Sequence, residues 1–143
     1  MKVFIENEAG SNKKNIFDEK TLEYKKAVEV SRKYPYPYGF VLETISGDGD
    51  NLDCFILTAK ALKTGDIVDA EPIGMFEQVE DGKEDHKILA TINSESFSIS
   101  EEVKTVFKNF TENVFSHRLG KTISIGKFLG KEEAKKLIIK CKN

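Results

Sequence analysis

Tryptophan is absent from this 143-residue chain, cysteine and histidine occur twice each, and proline three times. Two cysteines are too few for a disulfide-stapled scaffold. Cys54 and Cys141 lack metal-ligand or CxxC spacing and lie in apolar surroundings, so they read as small buried hydrophobes in a reducing compartment. No apolar run approaches the roughly 18 residues of a membrane-spanning helix, and the opening Met-Lys-Val-Phe-Ile-Glu turns acidic too soon for a secretory signal. The expected address is the cytosol, with no membrane partner. A large net charge is also missing: 24 acids against 22 bases leave −2, which excludes a nucleic-acid binder working by bulk charge. Internal repeats, low-complexity tracts and Pro/Gly/Ser-rich linkers do not occur. Residues 1–143 therefore read as one domain, and 39% hydrophobic with 10% aromatic residues suffices for its core.

The near-zero charge is the sum of two opposed regions. Residues 43–85 hold 12 acids and 3 bases, a local charge of −9, which leaves +7 on the rest. Solvated loops, a landing site for a basic partner and a site for several cations all fit that asymmetry. Short β-branched and aromatic stretches predict strands at 3–5, 40–42, 54–58, 67–70, 73–79, 87–92 and 121–128. Two helices follow late in the chain. One opens at Ser98-Ile99-Ser100-Glu101, read as a capping box, with an apolar stripe of Val103, Phe107, Phe110 and Val114. The other starts at Lys131 and repeats Ala134, Leu137, Ile138 and Cys141. The expected fold class is α+β: a small, mainly antiparallel β-barrel with two helices packed outside.

Chemistry concentrates in residues 34–58. Pro35 and Pro37 stiffen the segment bearing Tyr34, Tyr36 and Tyr38, as suits a site wall. Asp48, Asp50 and Asp53 follow as Asp-Gly-Asp-x-x-Asp, with Gly49 allowing a turn that brings three carboxylates together. At about 4 Å and a surface-like dielectric each pair of carboxylates would repel by about 4 kcal/mol, a cost that bound cations relieve. An acidic β-turn is the plain structural alternative. A calcium-binding EF-hand loop does not fit, because its glycine position holds Asp53 and its closing glutamate position holds Ala59. Hard oxygen donors without cysteine or histidine favour Mg²⁺, Mn²⁺ or Ca²⁺ over zinc. A second acidic run, Glu80-Asp81-Gly82-Lys83-Glu84-Asp85, precedes Lys87. The two clusters with an inward lysine fit a multi-metal phosphate site better than two ordinary turns.

Tyr34-Pro35, Tyr38-Gly39, Asp48-Gly49-Asp50-Asn51-Leu52-Asp53, Pro72-Ile73-Gly74, Asp85-x-Lys87, Gly120-Lys121 and Glu132-Glu133-Ala134-Lys135 follow one another in the order found in the family I soluble inorganic pyrophosphatases. The chain resembles that family over nearly its whole length. The resemblance implies an OB-like barrel and Mg²⁺-dependent hydrolysis of pyrophosphate to two phosphates, with Mn²⁺ or another divalent ion as a substitute. It implies that Asp48, Asp53 and Asp85 hold two activating ions, that Glu80 serves a third, and that Asp50, itself counted among the metal residues, takes a proton from the attacking water. Tyr38 and Lys87 would border the metals and hold a phosphate, Tyr34 would support them, and Glu6 would stand at the cavity edge. Lys13 matches the family's phosphate-gripping lysine after a one-residue gap, and Lys26 stands for its arginine, keeping the charge without the bidentate fork. Asn15 replaces an acid that helps bind a further metal, and Asn51 replaces a usual proline or glutamate. Val114-Phe115 stand where a Tyr-Lys pair is usual, with His117 and Arg118 nearby. By family analogy the chain forms a homo-oligomer, a hexamer in short prokaryotic forms.

Two other readings compete. A divergent member that keeps the carboxylates would bind metal and phosphate without turnover. An OB-type nucleic-acid binder would want a basic groove with exposed aromatics, whereas here the tyrosines adjoin the most acidic segment, so no nucleic-acid partner is expected.

Overall fold

A computed structural model describes residues 1–116, 120 and 122–143. His117, Arg118 and Lys121, singled out above, lie outside the described residues. The strands are β1 (Lys2–Asn7), β2 (Lys13–Phe17), β3 (Tyr24–Glu29), β4 (Tyr38–Val41), β5 (Asp53–Ile56), β6 (Ile67–Glu80), β7 (Lys83–Glu84), β8 (Lys87–Ile92) and β9 (Ile123–Gly130). The helices are α1 (Glu101–Asn113) and α2 (Lys131–Cys141). Pairings β1–β4, β4–β5, β5–β8, β8–β6 and β6–β1 close a ring in which β5–β8 alone is parallel, while β9 adds to the outer side of β6. The predicted α+β class holds: a mainly antiparallel ring of strands with two helices.

Strand alternation divides the core into two layers. Cys54 and Ile56 of β5 join Ile88, Ala90 and Ile92 of β8 in one cluster, capped by Ala134, Ile138 and Cys141 of α2. Phe55 and Leu89, one residue out of phase, join Tyr34, Tyr38, Phe76 and the α1 stripe Val103, Phe107, Phe110 and Val114 in the other. Both predicted helical stripes thus face the core, and both cysteines are buried and free. The cap of α1 differs from expectation. Ser100, not Ser98, accepts the Val103 N–H at 3.3 Å, because Ile99 is drawn against Gly74 and the helix begins only after it.

Two strand predictions need correction. Segments 67–70 and 73–79 form the single strand β6, with a register shift between Pro72 and Gly74 that accommodates the missing proline N–H. The β2–β3 hairpin went unpredicted because Lys13, Lys14, Lys25 and Lys26 obscure any apolar period. Its fastening is specific instead. Phe17 packs edge-on to Phe4 and Tyr24, with ring centroids at 4.9 and 5.6 Å, and Asp18 accepts the N–H groups of Lys20 and Thr21 at the turn.

Gly39 marks the tightest strand approach: a Cβ there would lie 1.7 Å from the Phe4 carbonyl oxygen. Substituting Gly39→Ala is expected to lower stability by about 3 kcal/mol or more, read as a fall in the urea midpoint with an unchanged slope.

Candidate active site

The ring delivers charge onto an aromatic floor. In the parallel β5–β8 register Asp53 lies opposite Lys87 and Phe55 opposite Leu89, while β4 sets Tyr38 opposite Phe55. The two-residue period puts these side chains on one face, with Asp53 and Lys87 at the strand starts above Phe55 and Leu89 and Asp85 two residues before β8. The loop between β4 and β5 supplies the rest. Its turn is set by Gly49 at φ 89°, by Ser46 N–H on the Asp50 carbonyl at 2.7 Å, and by Asp50 N–H on the Asp48 carboxylate at 3.0 Å. Thr44 accepts the Leu52 N–H, and the Asn51 side chain donates to the Val41 carbonyl. Asp48, Asp53 and Asp85 each place one oxygen so that all lie within 4.8 Å of one another.

Lys87 is the cation at the centre. Its buried ammonium donates to Asp53 at 2.5 Å, Asp85 at 2.9 Å and the Tyr38 hydroxyl at 3.2 Å. Burial alone would lower its pKa, but Asp53 and Asp85 reverse this and hold it above the ordinary lysine range. Burial pushes Asp85 up, against the pull of Lys87, and pushes Asp50 up with help from Asp48 and Asp85. Glu6 goes further. Burial, followed by the charge of Asp53, raises its carboxyl to about 8, although Lys14 and Lys87 draw it down. Burial also raises the Tyr34 and Tyr38 phenols, so both are hydrogen-bonding neutral groups at physiological pH.

Tyr34, Tyr38, Glu80, Asp85 and Lys87 line one cavity, whereas Asp50 lines a neighbouring hollow with Asn51 and Glu19, and neither Asp50 nor Glu80 belongs to the convergent carboxylate group. Tyr36 does not join them; it packs on Phe97 and Phe107. Lys13 is exposed and absent from the lining, whereas Lys14 lines the cavity. Adjacent strand residues point to opposite faces, and Lys14, paired with Val28, shares its face with Lys26, which is exposed. Lys14 also lies 5.5 Å from the centroid of the Phe115 ring, which with Val114 forms the apolar wall where a Tyr-Lys pair was expected. Asn15 is structural here: its backbone N–H donates to Asn7 and its side chain to the Glu6 carbonyl.

Glu19 escaped sequence reading altogether. At the hairpin turn its Oε1 accepts the Asn51 N–H at 2.8 Å. Burial raises its carboxyl to about 7, the Asn51 bond lowers it, and Asp50, Asp53 and Asp48 add to the rise. Only the unpredicted hairpin brings it there, so no spacing rule could have found it.

The inorganic pyrophosphatase family model matches residues 3–143. The chain belongs to the inorganic pyrophosphatase family. It is 35% identical over 94% of its length to an inorganic pyrophosphatase of Nanoarchaeum equitans, covering 91% of that protein, and 35% identical over 80% of its length to one of Saccharolobus solfataricus, covering 72%. Among solved structures, the inorganic pyrophosphatase of Neisseria gonorrhoeae superposes with a TM-score of 0.90 at 26% identity, over 99% of this chain and 88% of that one. That of Helicobacter pylori gives 0.87 at 26% identity, over 99% and 90%.

The buried acids carry a stability signature. A carboxyl whose folded pKa is raised binds its proton more tightly in the folded state. Its stabilisation is complete at low pH and is lost as pH rises from its unfolded value, about 4.5, through about 7 for Glu19 and about 8 for Glu6. Metal-free protein should therefore lose stability between about pH 4.5 and 8, with the urea midpoint flattening over that range in Glu6→Gln. Mg²⁺ should raise the midpoint more at pH 8 than at pH 5; a midpoint rising with pH in chelator would contradict this reading.

Proposed function

We propose that this chain hydrolyses inorganic pyrophosphate to two phosphates, with Mg²⁺ as the working ion and Mn²⁺ as a substitute. The observation that carries the proposal is the convergence of Asp48, Asp53 and Asp85 around Lys87 in a chain matching the pyrophosphatase family along its length. The donor set fits hard divalent cations: three carboxylates share a partly buried space with one ammonium, and neither cysteine belongs to it. Cations held by Asp48, Asp53 and Asp85, with Glu80 beside them, would supply charge neutralisation and an acidified water for attack on an anion.

The chain's own residues do the rest. Asp50 has a carboxylate at the site edge that accepts the proton of the attacking water, and its raised pKa makes it a better base than an ordinary aspartate. Lys87 keeps its charge through the reaction and steadies the transferring phosphoryl group, while Tyr38 fixes the ammonium and donates its own hydroxyl proton outward. Tyr34 braces Tyr38, with ring centroids 5.3 Å apart. The phosphate grip expected of Lys13 passes to Lys14, and Lys26 on the same hairpin face attracts the anion from outside. We place the reaction in the cytosol and expect a homo-oligomer, with a hexamer as the family analogue, to be read by sedimentation. Among the described residues no helix is long and apolar enough to cross a membrane.

Phosphate release from pyrophosphate should require Mg²⁺ or Mn²⁺, and no turnover with either ion would defeat the proposal in favour of a metal- and phosphate-binding module. Asp50→Asn should fold normally and lose roughly 10²- to 10⁴-fold in kcat, the range for a general base. A wild-type rate in that variant would remove Asp50 from its role.

A further inference from the structure

The acidic loop has one long-range fastening at its centre. Among the described residues, 46–52 take their side-chain and turn hydrogen bonds from within 41–52, except that the Asn51 N–H goes to Glu19 at 2.8 Å, 32 residues away in sequence. Asn51 stands between Asp50 and Asp53, so this bond grips the loop within its ligand spacing. The hairpin that carries Glu19 is itself anchored on β1, through the Asn15 N–H to Asn7, the Asn15 side chain to the Glu6 carbonyl, and the Phe17–Phe4 ring contact. The same hairpin carries Lys14. The Asn51–Glu19 bond thus ties the hairpin that carries Lys14 directly to the acidic loop.

Glu19 is not one of the carboxylates whose oxygens converge, a group formed by Asp48, Asp53 and Asp85. What the geometry supplies is an acceptor of the right reach, on a side chain one methylene longer than aspartate. We infer that Glu19 is a positioning residue, which holds the Asn51 backbone and through it the spacing of Asp48 and Asp53 for a divalent cation. The inference rests on the metal-dependent reading of that same loop. It assigns the work to the hydrogen bond rather than to the charge.

Three variants of the full chain separate bond from charge. Glu19→Gln keeps an oxygen at the same reach without charge, Glu19→Asp keeps the charge and loses the reach, and Glu19→Ala loses both. Calorimetric titration with Mg²⁺ should give an affinity within about twofold of wild type for the glutamine variant. The aspartate and alanine variants should each lose about tenfold, the lower end of what outer partners of metal ligands produce. Hydrogen exchange at the Asn51 amide should speed up in the same two variants and stay slow in the glutamine one. At saturating Mg²⁺, kcat should stay within about twofold of wild type in all three, so that the defect is one of metal binding. A glutamine variant as weak as alanine, or an alanine variant with wild-type affinity, overturns the inference. Wild-type protein that binds no Mg²⁺ would overturn the metal reading and this inference with it, while Asn51 exchange would still report the bond itself.

Discussion

A lysine buried between two aspartates sets the terms for this molecule. Lys87 is charged because Asp53 and Asp85 are beside it, and they tolerate burial because it is beside them. Removing one member of such a set strands a charge, at about 3–5 kcal/mol, so the three are inseparable as structure before they are considered as chemistry. One ammonium nevertheless cannot balance Asp53, Asp85, Asp48 and the nearby Asp50. The excess is what a cation-dependent anion site requires: it stays short of positive charge until divalent ions complete it, and only then presents the field that a phosphate anion needs. That resolves an apparent contradiction in the composition, where the most acidic segment of the chain is also the one that must receive a polyanion.

The same strands that carry these charges also hold them in place. In β5 and β8 the charged residue is the first of its strand and the residues two further on, Phe55 and Leu89, are fully buried. A slip of one residue would put Cys54 and Ile88 on the site face and bury Asp53 in the other core layer, so the register of the hydrophobic pattern enforces the register of the site. Helix α1 completes this floor, since Phe107 and Phe110 touch Phe55, and Phe110 also packs on Tyr34. The aromatic layer therefore holds Asp53, Asp85 and the Tyr38 hydroxyl within hydrogen-bonding distance of the Lys87 ammonium.

What could be read from sequence was whatever had a period or a spacing. The apolar stripes of both helices, the short apolar run of β8 and the Asp-Gly-Asp-x-x-Asp turn carry their geometry locally, and the family resemblance extended that reading to Asp85, Lys87 and the tyrosines. The hairpin was not legible, because its lysines mask the alternation and its stability comes from Phe4, which lies nine residues before β2 begins. The hairpin's register decides which residues near the N-terminus face the cavity and the acidic loop. Without its register Lys13 and Lys14 are indistinguishable, and Glu19 has no reason to be near Asn51. The cap at Ser100 failed for a different reason: Ile99 is claimed by tertiary packing against Gly74, which overrides a local capping pattern.

The departures from the family pattern form one connected adjustment. Asn15, expected from the resemblance to stand where an acid is usual, uses its side chain to stitch the hairpin to β1. Four residues on, the hairpin turn returns a carboxylate to the acidic loop at Glu19, against an Asn51 N–H that a proline at that position would not possess. Lys14 adapts in parallel. With Phe115 rather than a Tyr-Lys pair on the opposite wall, its ammonium rests near an aromatic ring, a contact that leaves the charge available to an anion while limiting where the side chain can go. Among the described residues the wall opposite Lys14 is apolar, and the acidic loop is fastened to the hairpin at Glu19. A site with a weaker direct grip on phosphate depends more heavily on its ions, and so on the hydrogen bond that keeps their ligands in register.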